Sequence, residues 1–280
     1  VAEYGAFLAE VGSGEGSRCK HPTRLDTYGC GCSHDCAYCY AKAILGFRGN
    51  WHPEAPHVAD LGRIGKAVRR MKPGSVVRLG GMTDCFQDAE ETHHVTREAI
   101  RMLNERGVHQ LIVTKSDRVA DCPTLDRELS HIQISITSTS DEPNPFKEHA
   151  APPSARLRAV QSLAERGFDV CMRISPYVPE FIDVGALKAT GCDKVLVEFL
   201  RVNGNIRKCL EGLDLSHYTL KLGGYRHLPL KRKREYLEPI LESFGQVSVC
   251  EDVYSHWSVW QEEVNANKLD CCNLRGVNGG

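Results

Sequence analysis

Three cysteines fall within eight residues in the stretch Cys30-Gly-Cys-Ser-His-Asp-Cys-Ala-Tyr-Cys-Tyr40, with the spacing Cys32-x3-Cys36-x2-Cys39. Thiolates are the ligands that iron–sulfur clusters select, and so compact a loop can wrap one face of a cubane cluster. Three thiolates leave the fourth iron without a protein ligand. An open position on a redox cluster is where a substrate or cofactor binds, so the spacing points to catalysis and not to a closed structural site. Two other chemistries use the same residue types. A zinc site on Cys32, Cys36 and Cys39 with His34 has suitable ligands, but zinc sites usually pair two short hooks, and no second hook of that form is present. A disulfide cluster suits an oxidising compartment, whereas adjacent reactive thiols in one loop fit a reducing one better.

The motif Cys-x3-Cys-x2-Cys with an aromatic residue, Tyr38, directly before the last cysteine resembles the signature of radical S-adenosylmethionine (radical SAM) enzymes. The longer string from Gly31 to Ala41, with its Cys-Tyr-Cys-Tyr ending, resembles the spore photoproduct lyase-like branch. This resemblance implies a 4Fe–4S cluster on Cys32, Cys36 and Cys39, with S-adenosylmethionine (SAM) chelated at the open iron. One electron then cleaves SAM to methionine and a 5′-deoxyadenosyl radical, which takes hydrogen from the substrate. The resemblance further implies an electron donor such as a flavodoxin or ferredoxin, and a thymine-derived base in DNA as substrate. The long N-terminal portion of the repair lyases is lacking, so modification or isomerisation of a hypermodified thymine is expected ahead of lesion repair. A radical SAM enzyme acting on a peptide or small metabolite, and a non-catalytic metal-binding module, are the competing readings.

Individual residues take expected roles from the same resemblance. Tyr38, Gly80, Gly81, Asp84, Lys115, Ser135 and Arg156 are the expected SAM contacts, with Asp84 standing where a glutamate is usual, and Lys115 and Ser135 directed at the cofactor's carboxylate; a tight turn with an Asp helix cap at Gly80–Asp84, and a solvated surface arginine at Arg156, are the alternatives. Cys85, in Thr83-Asp-Cys-Phe-Gln87, is the expected hydrogen donor to a product radical, and Tyr40 a possible relay. A lone cysteine is otherwise a small buried hydrophobe.

The elements that must position these residues alternate between strand-like and helix-like periods. Thr23–Tyr28 reads as a strand that delivers the cysteine loop. Val58 to Met71 reads as an amphipathic helix, Val76–Leu79 as a buried strand, and Val95 to Leu103 as a helix stopped by Gly107. Leu111–Thr114 is the next strand, and a shorter helix is expected from Cys122 to Leu129. His131–Thr137, a helix from Leu157 closed by Gly167, Asp169–Ile174, a helix over Phe181–Lys188, and Val195–Leu200 follow. Six strand–helix units in succession call for a parallel sheet with right-handed crossovers. The expected fold is therefore α/β, a partial (β/α)6 TIM-like barrel over residues 23–205, with its chemistry at the C-terminal ends of the strands. Residues 1–22, including Gly12-Ser-Gly-Glu-Gly16, read as a lead-in and not as a phosphate loop, because no strand precedes them and no lysine stands at the required spacing. Residues 206–280 form a C-terminal extension.

Composition narrows the function classes. Across 280 residues, 41% are hydrophobic and 25% charged, with a net charge of −1, so any nucleic-acid contact must come from a local patch and not from overall charge. No apolar run is long enough to span a bilayer, and no membrane partner is expected. Thirteen cysteines without a signal-peptide pattern read as cytosolic thiols plus metal ligands, and the expected location is the cytoplasm of a bacterium or virus-infected host. The basic run Arg226-His-Leu-Pro-Leu-Lys-Arg-Lys-Arg234 is a candidate phosphate grip, flanked by Tyr225 and Tyr236 as base-stacking rings, against a solvated helix face as the alternative. Arg173 and Glu198 sit in otherwise apolar strands, so they either bind substrate or pair together. Cys250, Cys271 and Cys272 carry no repeated Cys-x2-Cys hook, and their spacing leaves open whether they hold a second metal.

Overall fold

Strands form where β-branched residues run together and helices where apolar residues recur at three- and four-residue intervals. The computed structural model describes residues 7–10 and 19–277; the glycine-rich stretch 12–16 lies outside the described residues. In chain order the elements are β1 (Leu8–Glu10), β2 (Thr23–Leu25), β3 (Tyr28–Gly29), α1 (Tyr40–Phe47), β4 (His57–Val58), α2 (Leu61–Val68), β5 (Val76–Leu79), α3 (Ala89–His93) and α4 (Val95–Arg106). There follow β6 (His109–Thr114), β7 (Ser130–Ile136), α5 (Pro153–Glu165), β8 (Asp169–Tyr177), α6 (Val184–Lys188), β9 (Lys194–Phe199) and α7 (Gly204–Cys209). The last elements are β10 (Leu220–Leu222), β11 (Tyr225–His227), α8 (Leu230–Leu241), β12 (Gln246–Val249) and α9 (Tyr254–Glu263).

Eight strands form one sheet in the order β1-β2-β5-β6-β7-β8-β9-β12. From β2 to β12 every neighbouring pair is parallel. Only the β1 edge runs antiparallel, pairing Leu8–Glu10 with Thr23–Leu25. Among the described residues the sheet thus has two unpaired edges, and it curls as a partial barrel of the α/β class. Its seventh parallel strand, β12, comes from beyond residue 205, so the C-terminal segment extends the sheet itself.

The two faces of the sheet differ in chemistry. Ile112, Ile132, Ile134, Ile136, Met172, Ile174, Val195 and Val197 pack outward against Ile64, Ile100, Leu103, Val160 and Leu163 of the helices in the main core. The alternate positions face inward. Leu111, Cys171 and Leu196 make a separate small cluster with Cys272 and Leu274 of the C-terminal segment. Gln133 is in register with Cys171, and Arg173 with Leu196, so both share that inner face. Arg173 donates to Gln133 Oε1 at 2.9 Å and to Glu198 Oε2 at 2.5 Å, and Ser175 Oγ donates to the same carboxylate oxygen at 2.8 Å. Arg173 and Glu198 therefore pair with each other across β8 and β9, which satisfies two charges that would be costly if left alone inside the barrel.

Four local expectations change. The helix expected from Val58 starts only at Leu61, capped by Asp60, while Val58 pairs with Tyr28 in β4. The helix over Cys122–Leu129 does not form; a 3-10 turn at Asp117–Asp121 gives way to turns. Pro123 lacks an N–H, and the Asp126 carboxylate accepts from the backbone of Glu128 and Leu129 instead. The strand over Thr23–Tyr28 breaks at Asp26, whose buried carboxylate turns aside to accept from the N–H groups of Gly81 and Met82 at 3.1 and 3.0 Å. The helix expected from Phe181 starts only at Val184, where Asp183 accepts from Gly185 N as its cap. Gly107 and Gly167 close their helices at φ +68° and +79°, as expected of C-terminal stops.

Candidate active site

The cysteine loop leaves β3 at the C-terminal end of the sheet and feeds α1, with Cys39 as the helix N-cap. It is stitched down from two sides. After β5, Gln87 accepts from Ser33 N at 3.0 Å and donates to the carbonyl of Gly31 at 3.3 Å. After β7, the carbonyl of Phe146 accepts from Ala37 N at 3.1 Å, and the carbonyl of His34 accepts from His149 N at 2.8 Å. Cys30 and Asp35 take the left-handed conformation, at φ 56° and 35°, which bends the loop sharply. A side chain at Gly31 would meet the carbonyl oxygen of His52 at 2.0 Å, so the close approach there requires glycine.

This stitching buries Cys32 and Cys36 and leaves Cys39 half-buried. Burial pushes the Cys32 thiol up to about 12 and the Cys36 thiol well above its ordinary value, although the Lys115 ammonium opposes the shift at Cys36. Thiols so held keep their protons until a metal displaces them, and loading such a site releases protons. Three soft donors in one loop fit an iron–sulfur cluster by type. Among the described residues no three His, Cys, Asp or Glu side chains are preset as a metal cage, so these thiols would converge as a cluster is assembled.

Asp84 ties the loop to the strand ends. Its carboxylate accepts from Thr114 Oγ1 at 2.6 Å, Lys115 N at 2.7 Å and Phe86 N at 2.9 Å, and His34 Nδ1 lies at 3.4 Å. Burial alone would raise its pKa, but His34 and these donors hold it well below the usual carboxylate range. With three hydrogen bonds and the His34 ring around its two oxygens, Asp84 holds the cysteine loop and the ends of β5 and β6 in one arrangement. Gly80 sits at φ +81°, and a Cβ there would lie 2.1 Å from the carbonyl oxygen of Val113. Gly80→Ala is accordingly expected to cost about 2–5 kcal/mol through combined backbone strain and overpacking, read as a drop in urea midpoint at unchanged slope. Gly81 gives its N–H to Asp26 and its carbonyl to the Tyr40 hydroxyl at 2.7 Å.

Glu148 was not singled out by the sequence. It is buried with the Arg156 guanidinium at 2.6 Å, accepts from Thr137 Oγ1 at 2.8 Å, and accepts from the Tyr38 hydroxyl as well. Burial disfavours its charge, yet Arg156 and Lys115 outweigh burial and hold the carboxyl below its ordinary range. Lys115 lies 5.6 Å from the Tyr38 ring centroid. Burial disfavours its charge too, and the neighbouring Cys36 and Glu148 more than offset this, raising its pKa. Arg156 is not a solvated surface residue: it is 1% exposed and also donates to the carbonyls of Ala151 and Ser135, at 2.7 and 3.1 Å. Tyr38, Lys115, Glu148 and Arg156 are thus one charge network against Cys36. Ser135 contributes its backbone carbonyl to this network from the inner face.

Other expectations fare differently. Cys85 is 1% exposed and part of the main core, with burial holding its thiol well above the ordinary range. A hydrogen donor must reach a substrate radical, and so deep a position argues against that role. Tyr40 is 45% exposed at the mouth. The basic run divides in two. Arg226 lies on the β10–β11 hairpin, which is bridged to Val202 just past β9 and so stands at the same end of the sheet as the cysteine loop. On α8, Arg232 pairs with Glu235 at 2.6 Å, Arg234 with Glu263 at 2.5 Å, and Lys233 is buried against Glu251 at 2.5 Å. Lys233 is thus a buried structural ion pair, while Arg232 and Arg234 are exposed charges each offset by an acidic neighbour, which weakens α8 as a phosphate grip. Tyr236 packs against the core beneath Arg232, while Tyr225 stands on the hairpin beneath Arg201.

Comparison with known proteins agrees with this fold. The family model described as the radical SAM superfamily matches residues 27–183. An uncharacterized protein of Methanocaldococcus jannaschii is 27% identical over 163 residues, covering 55% of this chain; the match spans 60% of that relative's length. A variant of spore photoproduct lyase with bound AdoMet and dinucleoside spore photoproduct superposes with a TM-score of 0.65 at 16% identity, over 90% of this chain and 81% of that one. Spore photoproduct lyase complexed with dinucleoside spore photoproduct superposes with a TM-score of 0.62 at 16% identity, over 88% and 80% of the two chains. At such identities the likeness is one of fold.

Proposed function

The chain belongs to the radical SAM superfamily, and from that premise we propose that it is an enzyme acting on a thymine-derived base in DNA, most directly to modify or isomerise a hypermodified thymine. Cys32, Cys36 and Cys39 would hold a 4Fe–4S cluster. That cluster, with SAM bound, supplies a 5′-deoxyadenosyl radical able to take hydrogen from carbon. The observation that carries the reading is the convergence of the three-thiol loop with Lys115, Glu148 and Arg156 at the C-terminal mouth of a parallel sheet. Lys115 presents a fixed positive charge beside Cys36, suited to the carboxylate of SAM. Glu148 and Arg156 hold Tyr38, and through Phe146 they hold the loop, in one arrangement. Gly80 and Gly81 let the backbone approach a bound cofactor closely.

The DNA part of this reading is supported by the fold shared with spore photoproduct lyase and by the hairpin at the mouth. Lys221 and Arg226 are exposed and register partners there, and Leu222 is half-exposed near the tip. A base inside a duplex would have to flip out to enter the barrel mouth. The test is anaerobic: reconstituted, dithionite-reduced protein with SAM should release 5′-deoxyadenosine, and DNA carrying an amino-acid-substituted thymine should accelerate that release. Charge reversal at Lys221 and Arg226 should weaken DNA binding uniformly across sequences and lower the salt slope by about two. Neutralising Lys231, Arg232 and Arg234 on α8 should leave that slope unchanged. Acceleration by a peptide or small metabolite, with no response to DNA or to the hairpin charges, would move the assignment to the competing substrate class. An electron donor of the flavodoxin or ferredoxin type completes the proposal.

A further inference from the structure

Thirteen cysteines are more than the loop requires, and four of them meet elsewhere. Cys250 directly follows β12, its N–H donating to the carbonyl of Val197 at 2.9 Å. Cys271 and Cys272 lie in a turn after α9, shaped by Asp270, whose carboxylate accepts from Cys272 N at 3.0 Å. Cys250 and Cys271 pack, half-buried, against the small cluster that contains the buried Cys272. Cys19, from the segment before β2, donates its thiol to the carbonyl of His21 at 3.5 Å, and the His21 ring comes within 3.1 Å of Asp270, the residue before Cys271. Two distant stretches of chain therefore bring three thiols to one place on the inner face of the sheet, against Leu111, Cys171 and Leu196, and a third stretch brings Cys19 alongside through His21.

A positive charge stands beside this cluster: Arg173 lies on the inner face of β8, in register with Leu196 of the cluster. His21 is buried beside the turn, its Nε2 3.1 Å from Asp270 Oδ2 but without hydrogen-bond geometry to it. The segment carrying Cys271 and Cys272 has no helix or strand of its own, yet Cys272 and Leu274 are buried. A buried segment without regular structure is the kind that a metal crosslink holds.

We propose that Cys19, Cys250, Cys271 and Cys272 form a second, thiolate-ligated metal centre in the barrel interior, distinct from the loop of Cys32, Cys36 and Cys39. Four thiolates are a donor set for zinc or for an iron–sulfur cluster. Around a single ion with metal–sulfur bonds of about 2.3 Å the sulfurs would stand about 3.8 Å apart. As in the loop, the thiols are not preset at bonding geometry and would close around the metal on loading. The centre would tie the segment before the first parallel strand to the segment after the last.

The test uses the full chain with Cys32→Ala, Cys36→Ala and Cys39→Ala combined, which removes the first site and leaves the second intact. Zinc alone, and iron with sulfide, are offered anaerobically to separate samples, and metal and sulfide per chain are measured alongside circular dichroism. One retained zinc per chain, or retained iron with acid-labile sulfide and visible absorbance, supports the proposal and identifies the metal. Adding Cys250→Ser and Cys272→Ser should then bring the content to the blank. A folded triple variant that retains neither metal overturns the proposal, as would a disulfide among Cys250, Cys271 and Cys272 found by mass spectrometry of the parent. None of these readouts depends on SAM cleavage, so failure here and failure of the proposed activity are separable.

Discussion

Cys36→Ala is expected to reduce 5′-deoxyadenosine formation to the level of a protein-free blank, while the protein stays folded. Cys36 is buried at the centre of the loop and is the thiol on which Lys115 acts most directly. Loss of that thiol leaves two donors, too few to hold a cubane on one loop. The loop itself should survive, because Gln87, Phe146 and His149 hold it through backbone groups and not through the sulfur. Iron content and the electron paramagnetic resonance of the reduced cluster should fall together with turnover. A folded Cys36→Ala protein that keeps parental iron and parental deoxyadenosine would overturn the assignment of this loop as the cluster site.

Glu148→Gln should be the most destabilising single change near the site. The substitution keeps shape but removes the charge that Arg156 meets at 2.6 Å and that Lys115 senses. Breaking a buried ion pair from one side leaves the other charge uncompensated, at about 3–5 kcal/mol. The amide keeps one acceptor oxygen, so either Tyr38 or the Thr137–Arg156 pair would face its NH2 group. Equilibrium urea unfolding measures the cost, and Glu148→Asp is the control, since it keeps the charge and should recover part of the loss. Stability of Glu148→Gln within about 1 kcal/mol of the parent would show that the network is solvated and not a closed buried cluster.

How much of this was legible depends on the distance over which each feature is encoded. The cysteine loop stands out because its thiols are neighbours in sequence. The parallel strands stand out because burial on both faces leaves short apolar runs such as Leu111-Ile-Val and Val195-Leu-Val. Arg173 and Glu198 could be suspected of pairing, since each interrupts such a run. Glu148 could not be found, because it lies in an irregular connection between β7 and α5 and acquires its partners only when Tyr38, Thr137 and Arg156 arrive from three other places. The charges of α8 misled for the same reason: Glu251 and Glu263, which neutralise Lys233 and Arg234, are remote in sequence. Cys85 was judged by its neighbours in the motif, and burial depth is a property no motif carries.

The strand that completes the sheet, β12, and the turn that fills the inner face are both made from the last part of the chain. Arg275, for example, gives its N–H to Asp169 and its guanidinium to the carbonyls of Arg127 and Gly167. During synthesis, at about 5–20 residues per second, the cysteine loop and six parallel strands therefore emerge seconds before the piece that seals them from below. Contacts that join positions so far apart also close slowly. The nascent protein thus passes through an interval in which its interior is reachable from both ends, a window for inserting metal before the floor closes.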